Sequence, residues 1–187
     1  DAYEKLIEEF PDSPGRHRIE HVQVLHLQDI PRFAQIGIIA AMQPTHASSD
    51  MYWAVDRLGD ERSRGAYAWR SLLDSGAILA FGSDFPVEEV NPMLGIYAAV
   101  TRQDGQGWPQ GGWYPEQRVS REEAIRAFTL DAAFAAFMED EIGSLEVGKR
   151  ADFIVLDRDI MTVPEVEIAQ IKVEQTWLDG KPVFLRE

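Results

Sequence analysis

Two side chains at the ends of strand-like runs could do chemistry together. His21 closes Arg18-Ile19-Glu20-His21, and Asp84 closes Gly82-Ser83-Asp84 behind the apolar stretch that begins at Ala77. A neutral imidazole and a carboxylate are both ligands for a divalent cation such as zinc. A carboxylate at the end of a buried strand needs a partner: a metal, an arginine, or the amides of a following turn, which Pro86 would suit. Each residue alone has an ordinary explanation, since a strand histidine packs or meets solvent and an aspartate caps a helix or turn. Taken together, they fall at the carboxyl ends of strand-like runs, where parallel barrels carry their catalytic groups.

The elements that must position them can be read from periodicity. Tyr3, Leu6, Ile7 and Phe10 share a helical face that Pro11 ends. A strand is expected around Arg18–Leu25, then a short helix from near Asp29 with Pro31 in its first turn and Gly37 beyond its end. Ile38–Met42 reads as a strand closed by Pro44, followed by a polar loop and a helix around Ala66–Leu73. Ala77–Gly82 is the third buried strand, and Pro92 opens a helix through Val100. Apolar runs alternating with helices predict βαβ units and a parallel sheet, hence an α/β fold. If Asp84 points inward, so do Gly82, Ala80 and Ile78, whereas Leu79 and Phe81 point out to cover helices. That distribution suits a tight barrel interior, with an open sheet as the alternative. In the first strand His21 shares its face with Ile19 and Gln23, and Arg18 and Glu20 share the other as an ion pair.

Beyond the loop Asp104–Arg118, Ser120 and Glu123 form a capping box for an apolar helix from Glu122 to about Met138. The pattern then changes. Gly143–Gly148 is turn-like, Ala151–Leu156 is strand-like, and Lys172–Leu178 pairs with Pro182–Leu185 across Asp179-Gly180, a hairpin signal. Residues 1–138 and 139–187 therefore read as a barrel-like part and a small β-rich part.

Composition bounds the function. The net charge of -14 over 187 residues excludes a nucleic-acid partner, which needs a Lys/Arg surface. No apolar run approaches membrane-spanning length, so no membrane is expected as a partner. The absence of cysteine removes disulfides, limits metal ligands to His, Asp, Glu or modified Lys, and fits a cytoplasmic protein.

Four segments in order carry a resemblance: Arg18-Ile19-Glu20-His21, Met42-Gln43-Pro44-Thr45-His46, Gly82-Ser83-Asp84-Phe85-Pro86-Val87 and the tail from Ile142-Gly143-Ser144 to Arg150-Ala151-Asp152. The chain resembles the amidohydrolase superfamily, and most closely its amidohydrolase-3 group of formamide deformylase-like and aminoacylase-like enzymes. The resemblance implies the C-terminal part of a TIM-type barrel, strands six to eight, followed by a segment of a composite β domain. It makes His21 a metal ligand ending the sixth strand. Asp84, ending the eighth, becomes both a metal contact and the general base and acid. His46, near the end of the seventh, would face the same mouth as a substrate contact, with a loop-capping or exposed histidine as the alternative. Tyr67, Trp69 and Arg70 match a family helix, although core and surface roles suffice for them. His17 and His26 match no role, and His26 reads as a surface residue.

The implied activity is hydrolysis of a C–N bond (amide, N-acyl or N-formyl) in a small molecule, with a divalent metal, zinc, in the complete enzyme. The family's His-x-His pair, mid-barrel lysine and fifth-strand histidine have no counterpart here. The expectation is thus the C-terminal half of a longer enzyme. Its two ligands fall short of the three usual at catalytic zinc, so the alternative is a non-catalytic fragment holding no metal. Three strands cannot close a barrel, which implies self-association or contact with an N-terminal half. Trp108 and Trp113 could line an apolar acyl pocket or pack a lid or subunit contact.

Overall fold

Three short strands, each followed by helical structure, build the first layer. The computed structural model describes residues 1–13 and 15–187. After helix α1 (Ala2–Glu9) come β1 (Arg18–Glu20), α2 (Ile30–Gln35), β2 (Ile39–Met42), and the short helices α3 (Pro44–Asp50), α4 (Ala54–Leu58) and α5 (Asp60–Ser63). Next are α6 (Trp69–Asp74), β3 (Leu79–Phe81), α7 (Pro92–Thr101), α8 (Arg121–Phe128) and α9 (Leu130–Ala135). Strands β4 (Phe153–Leu156), β5 (Val173–Leu178) and β6 (Lys181–Leu185) complete the chain.

Strands β1, β2 and β3 pair in parallel in that order, with Ile19 opposite Ala40 and Ala40 opposite Leu79. The two faces of this sheet are distinct. Ala40, Met42, Leu79 and Phe81 pack into the principal core with Phe33, Trp69, Leu72 and Ile96. Ile39 and Ala80 pack instead with Ala135, flanked by Ile78 and Phe134. The alternation expected for the third strand is therefore present. All of β2 and β3 is buried, yet every residue of β1 is exposed. Arg18 and Glu20 form the anticipated ion pair.

Three expectations are corrected. The first strand stops at Glu20, because His21 and Val22 take φ of 71° and 42°, outside extended space. The polar loop after Pro44 is instead the helical run α3–α5, and Pro44 itself occupies the first turn of α3, where its fixed φ is preorganised and its missing N–H costs nothing. The long helix after Ser120 breaks into α8 and α9 at Thr129, at φ -123° and ψ -86°, whose hydroxyl donates back to the Ile125 carbonyl. The Ser120–Glu123 capping box at the start of α8 is present on both sides.

Strands β4, β5 and β6 form an antiparallel sheet. Asp179 and Gly180 both take left-handed φ, 51° and 71°, as a two-residue hairpin turn requires. The Gly143–Asp152 segment clamps this sheet to the helices. Gly143 has φ +91°, and a Cβ there would lie 2.8 Å from the Ala133 Cβ of α9, so only glycine fits. At the far end the Asp152 carboxylate accepts the Asp179 N–H at 2.7 Å, and Gly180 N–H donates to the Ala151 carbonyl. Ile168 and Ile171, between β4 and β5, are buried in the principal core.

Candidate metal centre

The carboxyl ends of the three parallel strands converge on one cluster. His21 follows β1, its N–H held by the Ala41 carbonyl at 2.6 Å, and its φ of 71° breaks the strand's side-chain alternation. The expected sharing of one face by Ile19 and His21 therefore ends at Glu20. Asp84, after β3, is a second non-glycine residue in the left-handed region, at φ 59°. Such positions are uncommon and cluster at functional sites. His46 sits in the first turns of α3, which starts directly from the end of β2.

His21 Nδ1 lies 4.0 Å and His46 Nε2 3.6 Å from Asp84 Oδ2, and one ligand atom from each of the three lies within 4.8 Å of the others. The imidazoles stack with centroids 5.9 Å apart. Metal bonds of about 2.0–2.2 Å put two ligands of one tetrahedral ion roughly 3.4 Å apart, so the three side chains lie within the reach of one cation site, with the His21 spacing measured at Nδ1. Burial separates the members: the His46 side chain is only 8% accessible, against 48% for His21 and 35% for Asp84. An exposed or loop-capping His46 is thereby replaced by a buried one inside the cluster.

Hydrogen bonding shows which atoms are spoken for. His21 Nδ1–H donates to Gln43 Oε1 at 3.0 Å, which leaves the Nε2 lone pair for a metal. The Asp84 carboxylate accepts no hydrogen bond among the described residues, and His46 Nε2 is buried without a partner. The His21 imidazole and the Asp84 carboxylate are donors that zinc or a similar cation accepts, and His46 stands beside them. A cavity of about 540 Å³ opens beside His21, lined in part by Tyr3, Ile19, Gln23 and Phe33.

Sequence reasoning missed the amides. Gln43 stands in the quoted Met42–His46 segment and Gln23 two residues beyond His21, but nothing in their types marks them as imidazole partners. His17 lies against Tyr3, and His26 is exposed, accepting the Gln28 N–H at 3.3 Å. Tyr67 and Trp69 are core residues, and Arg70 pairs with Glu123. The two loop tryptophans part company. Trp113 packs on Tyr67 and Arg102, whereas Trp108 stays half exposed and stacks on Tyr52 at 4.9 Å, with the Tyr52 hydroxyl bonded to Asp104. That contact pins the loop to the far end of the segment carrying His46.

Residues 1–184 match the model of the Amidohydrolase family. YtcJ of Bacillus subtilis (strain 168) is 34% identical over 187 residues, covering 98% of this chain and 35% of that protein. The N-substituted formamide deformylase of Arthrobacter pascens is 30% identical over 164 residues, covering 87% of this chain and 30% of the relative. A crystal structure of a metal-dependent hydrolase from Pyrococcus furiosus superposes with a TM-score of 0.70 at 33% identity, covering 86% of this chain and 32% of that one. The chain spans about a third of the length of these relatives. It is an α/β chain, and it belongs to the amidohydrolase family.

Proposed function

We propose that this chain is part of a metal-dependent hydrolase that cleaves C–N bonds in small molecules, with amides, N-acyl or N-formyl groups as substrates. The observation that carries this reading is the convergence of His21, His46 and Asp84 at the ends of three parallel strands, around a carboxylate with no hydrogen-bond donor of its own among the described residues. The deformylase and the Pyrococcus hydrolase support it as relatives of that chemistry. In this reading β1 to β3 are consecutive strands six to eight of a (β/α)8 barrel. Residues 1–138 belong to the barrel and 139–187 to a small β-rich domain.

His21 and Asp84 would hold the cation, zinc being the choice that fits the donors. A bound divalent cation lowers the pKa of water toward neutrality and polarises the scissile carbonyl. Asp84 takes a proton from the attacking water as the O–C bond forms. It returns that proton to the nitrogen as the C–N bond breaks, so the carboxylate ends as it began. Gln43 holds the His21 ring in one tautomer and one orientation throughout. The further ligands come from the rest of the longer protein.

Elemental analysis of the intact protein, paired with an amine-release assay on N-formyl and N-acyl amines, tests the reading. Bound zinc and turnover are expected, and both should be lost in His21→Ala. A zinc-replete protein that binds no metal would leave a non-catalytic fold.

A further inference from the structure

The cluster contains two histidines, and their partners give them opposite faces. His21 meets an amide oxygen, Gln43 Oε1, at 3.0 Å, whereas His46 Nδ1 meets an amide nitrogen, Gln23 Nε2, at 3.4 Å. The orientation of the Gln23 amide is set from further back. A carboxylate only accepts hydrogen bonds, so Tyr67 must donate its hydroxyl hydrogen to Asp50 Oδ2, 2.6 Å away. The phenol keeps that proton, because burial first and the Asp50 bond second push its pKa far above the ordinary value. Its oxygen is then left to accept, and the nearby Gln23 side chain acts on the phenol as a donor does, opposing the rise. Gln23 therefore presents N–H to Tyr67 and, with its second hydrogen, to His46. The backbone reinforces this arrangement: Tyr67 N–H donates to the Gln23 carbonyl at 2.8 Å, and Leu25 N–H to Gly65 O at 2.9 Å.

A neutral imidazole that accepts at Nδ1 carries its hydrogen on Nε2. Nε2 is the buried atom without a partner, and at 3.6 Å from Asp84 Oδ2 it is too far for a good hydrogen bond. A buried unpaired N–H beside the proposed metal-binding carboxylate is a donor held ready for an oxygen that arrives with the substrate.

We infer that His46 acts through Nε2–H as a donor to the carbonyl oxygen of the scissile bond as that oxygen gains charge, locked in this tautomer by the Asp50–Tyr67–Gln23 relay. It is thus a catalytic residue and not a third metal ligand, and Gln23 is a positioning residue. This inference rests on the hydrolase reading above.

Histidine ¹⁵N NMR of the intact protein, with and without zinc, reads the tautomer directly. The expected spectrum has His46 Nδ1 bare and Nε2 protonated in both states, while zinc displaces the His21 Nε2 signal alone. Gln23→Glu, whose carboxylate accepts from Nδ1–H, should bare Nε2. His46→Phe should keep its zinc and lose kcat by about 10²–10³-fold, the usual loss for one oxyanion donor. A zinc-bound protein in which His46 Nε2 is bare, or moves with the metal, would overturn this inference alone. A protein that holds no zinc would overturn the hydrolase reading, and the donor role with it. The spectrum of the wild type needs no variant to fold.

Discussion

At the residue scale, the two amides do as much as the two imidazoles. Gln43 fixes which nitrogen of His21 can face a cation, so its loss should be felt in affinity before it is felt in folding. Gln43→Ala in the intact protein is expected to weaken zinc binding by about 10–100-fold, measured by competition with a chromophoric chelator. An unchanged affinity would remove Gln43 from the site. Asp84 has the opposite profile. Asp84→Asn keeps the shape but cannot shuttle a proton, so kcat should fall by about 10²–10⁴-fold with a smaller change in KM. A variant retaining full turnover would place the base elsewhere. His21 and Asp84 stood out in the sequence because they end strand-like runs and fall in motifs that occur in a known order. Gln23 and Gln43 were not, since a glutamine signals no partner until the fold supplies one.

At the element scale, the site depends on how the 21–25 segment is held. Gly65 has no Cβ to spare: one placed there would fall 1.8 Å from the Leu25 carbonyl oxygen, a backbone atom that cannot swing away. Gly65→Ala should therefore push the Gln23 segment outward and destabilise the fold by about 1–3 kcal/mol, read by thermal or urea unfolding. Wild-type stability in this variant would mean the segment is free to shift. Helix α8 gives a pH-dependent case. Glu123 closes the capping box and binds Arg70 with Nη1 to Oε1 at 2.9 Å, and the Arg70 guanidinium holds its carboxyl below the ordinary value against the opposing effect of burial. A carboxyl depressed in the folded state contributes stability above its unfolded pKa of about 4.3, and that contribution fades as pH falls through the folded value. The melting-temperature gap between wild type and Glu123→Gln should be full at neutral pH and shrink in acid. A gap independent of pH would refute the ion pair's share. The capping box and the Asp179-Gly180 hairpin could be read in advance because each is decided within a few residues. The shortened β1 and the break at Thr129 could not, because non-local contacts set those backbone angles.

At the scale of the whole molecule, the exposed first strand dominates. Every residue of β1 faces solvent, and the apolar Ile19, Val24, Leu27, Phe85, Val87 and Val90 are all more than a third accessible. Such an edge invites pairing with another chain. The 187-residue chain by itself should self-associate, visible by size-exclusion chromatography with light scattering as a mass above 21.1 kDa that depends on concentration. A stable monomer across the accessible range would count against an unfilled edge. No helix among the described residues is long and apolar enough to cross a membrane.

The sequence by itself determined the parallel-strand pattern, the hairpin, the capping box, the family and two strand-end residues able to bind metal. These rest on short-range rules, on periodicity and on motif order. The tertiary structure decided the rest. It buried His46 beside Asp84, ended β1 with a left-handed His21, and chose the amide atom that each imidazole meets. Those outcomes follow from contacts between residues some twenty to sixty positions apart, and a linear chain does not state which of its polar groups will find one another.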